Sequence, residues 1–306
     1  MAINTLETAV LFQKQLDNIA IHEALTGWMD LNSNQVIYDG GAEVKIPKMS
    51  IDGLGDYDRD NGYAQGSVTL EYETRRMTMD RARKFHLDSM DVNETNFIAQ
   101  ASGAMALFQR ESVIPEIDAY RISKLASTAI TAGNVEYGYN PNSQQTFAKI
   151  KSAIKDIRKQ GYTGELVCHI SYDALYDLEL GIADKIKDVT FSKGGIDTRV
   201  PSVDGVPLIA TPSNRLYTAI TINDGKTSGQ TIGGYDKATD GKEINFIICP
   251  RTTPIAVTKQ DKMKIFTPEQ NQGPDAWLMN YRRFHDLWVL DNKINSIYVN
   301  IVDAEG

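Results

Sequence analysis

Residues 51–66 read IDGLGDYDRDNGYAQG. Two segments that alternate apolar and polar residues flank them, and Asp56, Asp58 and Asp60 stand at every second position, which is how a calcium loop begins. An EF-hand loop needs oxygen ligands at its first, third and fifth positions, glycine at the sixth and a bidentate Glu at the twelfth. Counted from Asp56, the sixth position is Asn61 and the twelfth is Ser67, while the glycine comes one residue late as Gly62. The flanks read as strands, where that motif needs helices. The stretch therefore reads as a solvated tip in which Asp, Asn and Gly serve turn geometry, and no metal or other cofactor is expected there.

Working outward, Glu43-Val44-Lys45-Ile46 alternates with period two, and Pro47 predicts an edge strand because it cannot donate to a ladder. On the other side Val68, Leu70 and Tyr72 alternate with Thr69, Glu71 and Glu73. The phase then flips to Met77 and Met79, which predicts a bulge near Arg75-Arg76. Strand, tip and strand make one long hairpin. A lone hairpin is marginal in water, so this one must lie on its own domain or on another subunit. Ile51, Leu54, Tyr57 and Tyr63 at the tip, with Val68, Leu70 and Tyr72 on the strand, are the candidate contacts between subunits. Arg75, Arg76, Arg81, Arg83 and Lys84 form a basic cluster interrupted by Asp80. It lacks the interleaved aromatic platform of a single-strand nucleic-acid groove; its arginines are candidates for pairing with a neighbouring copy, the alternative being a solvated face of their own chain.

Before the hairpin, residues 1 to about 38 carry a short amphipathic piece (Phe12, Leu16, Ile19, Ile21, Leu25) and read as an arm that is ordered on a partner surface. After it, residues 94–127 give the strongest helical signal, with Phe97, Ala101, Met105 and Phe108 at helical spacing and Pro115 predicting a kink or brief break. Such a helix is about 50 Å long, more a strut than a core element. From about residue 139, helix and strand alternate. Phe147, Ile150, Ile154 and Ile157 form one helical face, Leu166–Ile170 and Val206–Ala210 are strands, and Tyr172–Leu180 is a short helix. Residues 223–242, rich in Gly, Thr, Asp and Lys, predict an exposed loop. Strands return at 244–249, 253–257, 262–266, 277–290 and 297–301.

At 306 residues the chain can bury a sizeable core. A net charge of −8 argues against a tight, salt-dependent grip on nucleic acid. Two cysteines, Cys168 and Cys249, make no disulfide framework. The N-terminal residues lack the pattern of a signal peptide, and no run reaches the roughly 20 apolar residues of a membrane span.

No motif supports catalysis. Gly225-Lys226-Thr227 resembles the end of a phosphate-binding loop, but the glycine needed five residues earlier is Ile220. Cys168 and His169 are adjacent on a strand and point to opposite faces, so they cannot act as thiol and base. His285-Asp286, beside aromatic strand residues, reads as core or interface.

The order of parts is an arm, a long hairpin, a strut helix, an inserted α/β domain and returning strands. This itinerary, with the closing run DAWLMNYRRFHDLWVLDNKINSIYVNI (275–301), resembles the major capsid protein of tailed double-stranded DNA bacteriophages, a fold shared with encapsulin shells and herpesvirus capsid floors. The resemblance implies an α+β fold with an N-terminal arm (1–38), an extended hairpin loop (39–90), a peripheral domain with a spine helix (91–138 and 243–306) and an axial domain (139–242). It further implies a structural role, self-assembly as hexamers and pentamers into an icosahedral head, and the virion as location after assembly in the host cytoplasm. Portal, scaffolding and decoration proteins are the implied partners, and the enclosed DNA is held without tight binding. The tip would then lie over the adjacent subunit. No lysine occurs between Lys48 and Lys84, so the covalent cross-link that some family members form through this loop is not expected. With about 38 residues before the hairpin, a separate scaffolding protein is expected. An encapsulin-like cargo shell and a cytoplasmic enzyme are the alternatives.

Overall fold

A computed structural model describes residues 24–38, 43–57, 59–60, 62–63, 65–88, 103–141, 145–182, 186–192, 197–266, 269–271 and 276–305. Fifteen strands occur in them: β1 (Ile37–Tyr38), β2 (Glu43–Ile51), β3 (Val68–Arg76), β4 (Met79–Asp88), β5 (Val135–Glu136), β6 (Leu166–Ser171), β7 (Lys187–Ser192), β8 (Asp197–Val203), β9 (Val206–Thr211), β10 (Ile220–Ile222), β11 (Tyr235–Lys237), β12 (Ile244–Pro250), β13 (Pro254–Phe266), β14 (Ala276–Val289) and β15 (Tyr298–Ile301). The helices are α1 (Ile114–Thr131), α2 (Thr146–Lys159) and α3 (Tyr172–Ile182).

The largest sheet has the order β5-β15-β12-β6-β9-β8-β7. Strands β6 and β12 are buried at every position, as continuous apolar runs must be when both faces of a sheet are covered. Alternation sends Cys168, Ile170, Phe246 and Ile248 to the side of α2 and α3, where Ile150, Ile154, Ile157 and Leu178 meet them. It sends Val167, Ile247 and Cys249 to the other side, against Ile122, Leu125 and Ala126 of α1. Strand β12 pairs with β6 on one side and with β15 on the other, so the sequence boundary at 242/243 falls inside one hydrogen-bonded layer. Chain position alone hides this, because a strand from the C-terminal segment completes a sheet begun by the inserted one.

Trp28 and Met29 are wholly buried in the same core. The turn that carries them is fixed by polar contacts. Asp118 accepts from the amides of Leu25 and Thr26, at 3.2 and 3.1 Å, and from the Thr26 hydroxyl at 2.5 Å. Arg121 donates to Asp30 at 2.7 Å and to the Thr26 carbonyl at 3.0 Å. Residues 24–36, expected as part of a partner-dependent arm, therefore pack on their own chain. The amphipathic piece of that expectation lies outside the described residues apart from Leu25.

Ribbon β13-β14-β4 is antiparallel throughout. The separate strands expected at 253–257 and 262–266 are one strand with an irregularity between Thr258 and Gln260, concealed in sequence by the polar run across it. The long helix lies against this ribbon. It runs from 103 to 131, about 43 Å at 1.5 Å per residue, and residues 94–102 of the expected span lie outside the described residues. The break predicted at Pro115 takes the form of a π-turn at Gln109–Val113, immediately before α1, consistent with a proline that cannot donate to the α-helical ladder. Phe108 there packs edge-on to Phe85 and Tyr281, with ring centroids 4.9 and 5.8 Å away.

The third sheet, β1-β2-β3, is the hairpin. Two expectations change here. Strand β2 is not an edge along its whole length, because β1 covers Val44 and Lys45; Pro47 lies beyond that cover, where no donor is needed on that side. Nor is there a bulge at Arg75-Arg76. The apolar phase flips because the chain leaves one sheet at Arg76 and enters another at Met79. The loop expected over 223–242 also contains β11, which pairs with β10.

Candidate assembly surface

The hairpin has two apolar faces at different heights. At its base Val44 and Ile46 point inward and pack with Met77, Ile255, Val257 and Trp288. Further out the opposite face is apolar: the register pairs Ile51 with Val68, Met49 with Leu70 and Pro47 with Tyr72. Period-two alternation places Pro47, Ile51, Val68, Leu70 and Tyr72 on the side away from Ile46. Ile51 and Val68 are 67% and 66% exposed, and Leu70 and Tyr72 about half. The other face of the same stretch is polar, pairing Lys48 with Glu71 and Ser50 with Thr69. A ribbon on a monomer turns its apolar side inward; this one turns it to solvent, as a surface awaiting a partner does.

Beyond β2 the tip makes little contact with the body. Leu54 and Tyr63 are fully or nearly fully exposed, and the Tyr57 and Tyr63 rings pack edge-on at 5.1 Å. The four sequence-predicted tip contacts are thus all accessible. Asp58, the central residue of the calcium reading, lies outside the described residues.

The basic cluster divides. Arg81 grips Glu116 of α1 with two bonds, at 2.7 and 3.1 Å, and donates to the Asn223 carbonyl at 2.8 Å. This candidate for contact with a neighbour is engaged within its own chain. Arg83 donates to the Thr231 carbonyl at 3.3 Å. Arg75 pairs with Glu73 at 2.7 Å, and Arg76 is exposed.

Where the hairpin meets the ribbon, Asp286 collects donors. Its carboxylate accepts from the Thr78 amide and hydroxyl, from the Tyr120 hydroxyl at 2.7 Å and from the Lys124 ammonium. Burial pushes this carboxyl up, but the bond and charge of Lys124 outweigh it and hold Asp286 below the ordinary range. Beside it His285 is held well below its usual value, first by burial and then by the Arg283 charge. Both side chains are buried, as the core reading of His285-Asp286 expects.

The other chemical candidates resolve as structure. Cys168 and His169 face opposite sides of β6; burial pushes the Cys168 thiol far up and that of Cys249 to about 12. His169 instead meets Trp28 and Thr211. In the Gly-Lys-Thr turn, the amides of Lys226 and Thr227 donate to the Asp224 carboxylate, each at 2.8 Å. These bonds, led by the Thr227 hydroxyl, lower Asp224 to about 2, and a phosphate would find its amides already occupied by an anion.

No family model and no curated protein matches the chain. Solved structures do. A structure described as "Mycobacterium phage Bobi" is 11% identical, with a TM-score of 0.54 over 90% of this chain and 91% of the other. "Mycobacterium phage Che8" is 14% identical, with a TM-score of 0.53 over 85% and 84%. "Capsid structure of the Cyanophage P-SCSP1u" is 11% identical, with a TM-score of 0.53 over 87% and 84%. The fold is therefore the α+β phage-capsid fold, matched over most of both chains. No helix among the described residues is long and apolar enough to cross a membrane.

Proposed function

We propose that the chain is the major capsid protein of a tailed double-stranded DNA phage, assembling as hexamers and pentamers into an icosahedral head. Fold alone does not confer function. The observation that carries the reading is the outward apolar face of the hairpin, in which Val68, Leu70 and Tyr72 are strand-paired yet exposed. Burying a fully exposed side chain of this kind gains about 1.5–3 kcal/mol; these, half to two thirds exposed, gain a corresponding share when a neighbour covers them, and a closed shell repeats that gain at every subunit. In this reading the ribbon and long helix form the peripheral part, and the seven-stranded sheet with α2 and α3 forms the axial part. The role is structural rather than catalytic, with the virion as location and assembly in the host cytoplasm. The net charge of −8 suits a container that surrounds DNA without gripping it. A scaffolding protein, a portal and a decoration protein belong to the same reading. Electron microscopy of the purified protein, over a range of concentration and crowding, is expected to show capsomers or shells. A species that stays monomeric throughout, with or without a scaffolding protein, contradicts it.

A further inference from the structure

Ribbon β13-β14-β4 has one face packed and one bare. Phe85, Met263 and Tyr281 turn toward the long helix and pack there with Met105 and Phe108. On the opposite face the register sets Lys264, Asn280 and Lys84 in one row and Lys262, Arg282 and Ala82 in the next. These residues line a shallow depression of about 370 Å³, and Lys84, Lys262, Lys264 and Arg282 are all exposed. With neighbouring strands about 4.8 Å apart, the three lysines rise from a patch about 10 Å across. Arg282 is held by Asp80, at 2.8 and 2.5 Å, but the lysines have no carboxylate partner among the described residues. Lys262 stands directly opposite Arg282, and like charges so placed repel. In a chain of net charge −8, such a local excess of positive charge is relieved by an anion from outside.

We propose that this face is a binding site for a chain of phosphates. Lysine meets phosphate as a point charge. A phosphate chain brings several anionic groups within the span of the three lysines, where one carboxylate or one phosphate would leave cations unmatched. The chain is that of a free oligophosphate or of a nucleic-acid backbone, which carries the same groups in series. Bases are not recognised here. Phe284, in the next row, is covered by the Lys259 ammonium, 5.7 Å from its ring centre, which leaves no open aromatic platform for stacking. The site needs only the ribbon of a single subunit and stands apart from shell formation.

Two titrations of the purified chain at low salt test this, one with inorganic tripolyphosphate by calorimetry and one with a short DNA duplex by fluorescence anisotropy. At least one of the two ligands should bind, and Lys262→Glu/Lys264→Glu should weaken that binding by about tenfold or more. Both positions are exposed, so the variant should keep the parent's thermal melt. Lys84→Ala, on another strand, should weaken binding by a smaller factor, which separates loss of charge from a local fault in β13. A saturable tripolyphosphate site for which the duplex does not compete assigns a free oligophosphate. Duplex binding whose log–log salt slope falls by about 2 in the double variant assigns the nucleic-acid backbone. The proposal is overturned if neither ligand binds, or if binding is unchanged in both lysine variants. It is also overturned if an oligoglutamate displaces the ligand equally well, which would mark a surface for an acidic protein. Shell formation is decided separately, by particle counts.

Discussion

Thr78 donates both its amide and its hydroxyl to one oxygen of Asp286, at 2.9 and 3.0 Å. At that point the chain leaves the hairpin sheet and enters the ribbon, and the same carboxylate holds Tyr120 and Lys124 of the long helix. Hairpin base, ribbon and helix therefore meet at one buried anion.

Asp286→Asn should lower the stability of the unassembled subunit by about 1.5–3 kcal/mol, the size of a hydrogen bond to a charged group, and Thr78→Val by about 1 kcal/mol. Urea melts of the subunit measure both. The folded-state pKa of Asp286 is lowered, so its contribution is present above the unfolded value of about 3.9 and is lost as pH falls through the folded value. The Asn variant should accordingly show a shallower loss of stability below about pH 4 than the parent. Equal acid sensitivity in the two would remove Asp286 from this role.

Trp28→Ala should cost about 3–5 kcal/mol in the isolated subunit, as expected for a wholly buried large side chain. The thermal melt of unassembled protein is the measurement. An unchanged melt would mean that residues 24–36 are ordered by a partner, as their sequence first suggested.

That contrast shows what was legible in the chain and what was not. Period-two alternation revealed β2, β3 and the apolar strand residues of the hairpin, and 3.6-residue spacing revealed α2. Adjacent positions on β6 separated Cys168 from His169 without any coordinates. The fate of Trp28 was not legible, because the turn that carries it is held through Thr26 by Asp118 and Arg121, 92 and 95 positions away from Thr26. The change of sheet at Thr78 looked like a bulge because both reverse the apolar phase, and only the distant Asp286 distinguishes them. Strands β7 and β8 gave no clear signal, since β7 has only two apolar residues, Val189 and Phe191, and Arg199, Pro201 and Ser202 break up β8. Arg81 and Arg83 read alike in sequence, yet only Arg81 reaches Glu116. A cleft lined by Arg83, Phe108, Ile232 and Tyr281 was invisible too, as its walls come from four separate parts of the chain.

Leu70→Glu/Tyr72→Lys should leave the subunit melt within about 0.5 kcal/mol of the parent, because both positions face solvent. The same change should reduce particle formation. Ile46→Asp, on the inward face, should instead destabilise the subunit itself. Parallel melts and sedimentation profiles separate the two faces.

The most direct measurement replaces residues 52–67 with a two-residue Asn-Gly turn between Ile51 and Val68, which pair in register. Such a turn matches the twist of the flanking strands, so the subunit is expected to keep its melting temperature. Loss of Leu54, Tyr57 and Tyr63 removes only side chains that are exposed within the chain, and particle counts by electron microscopy should fall while free capsomers accumulate. Normal shells together with a collapsed subunit melting temperature would show that the tip packs within its own chain, and would contradict its place on a neighbour.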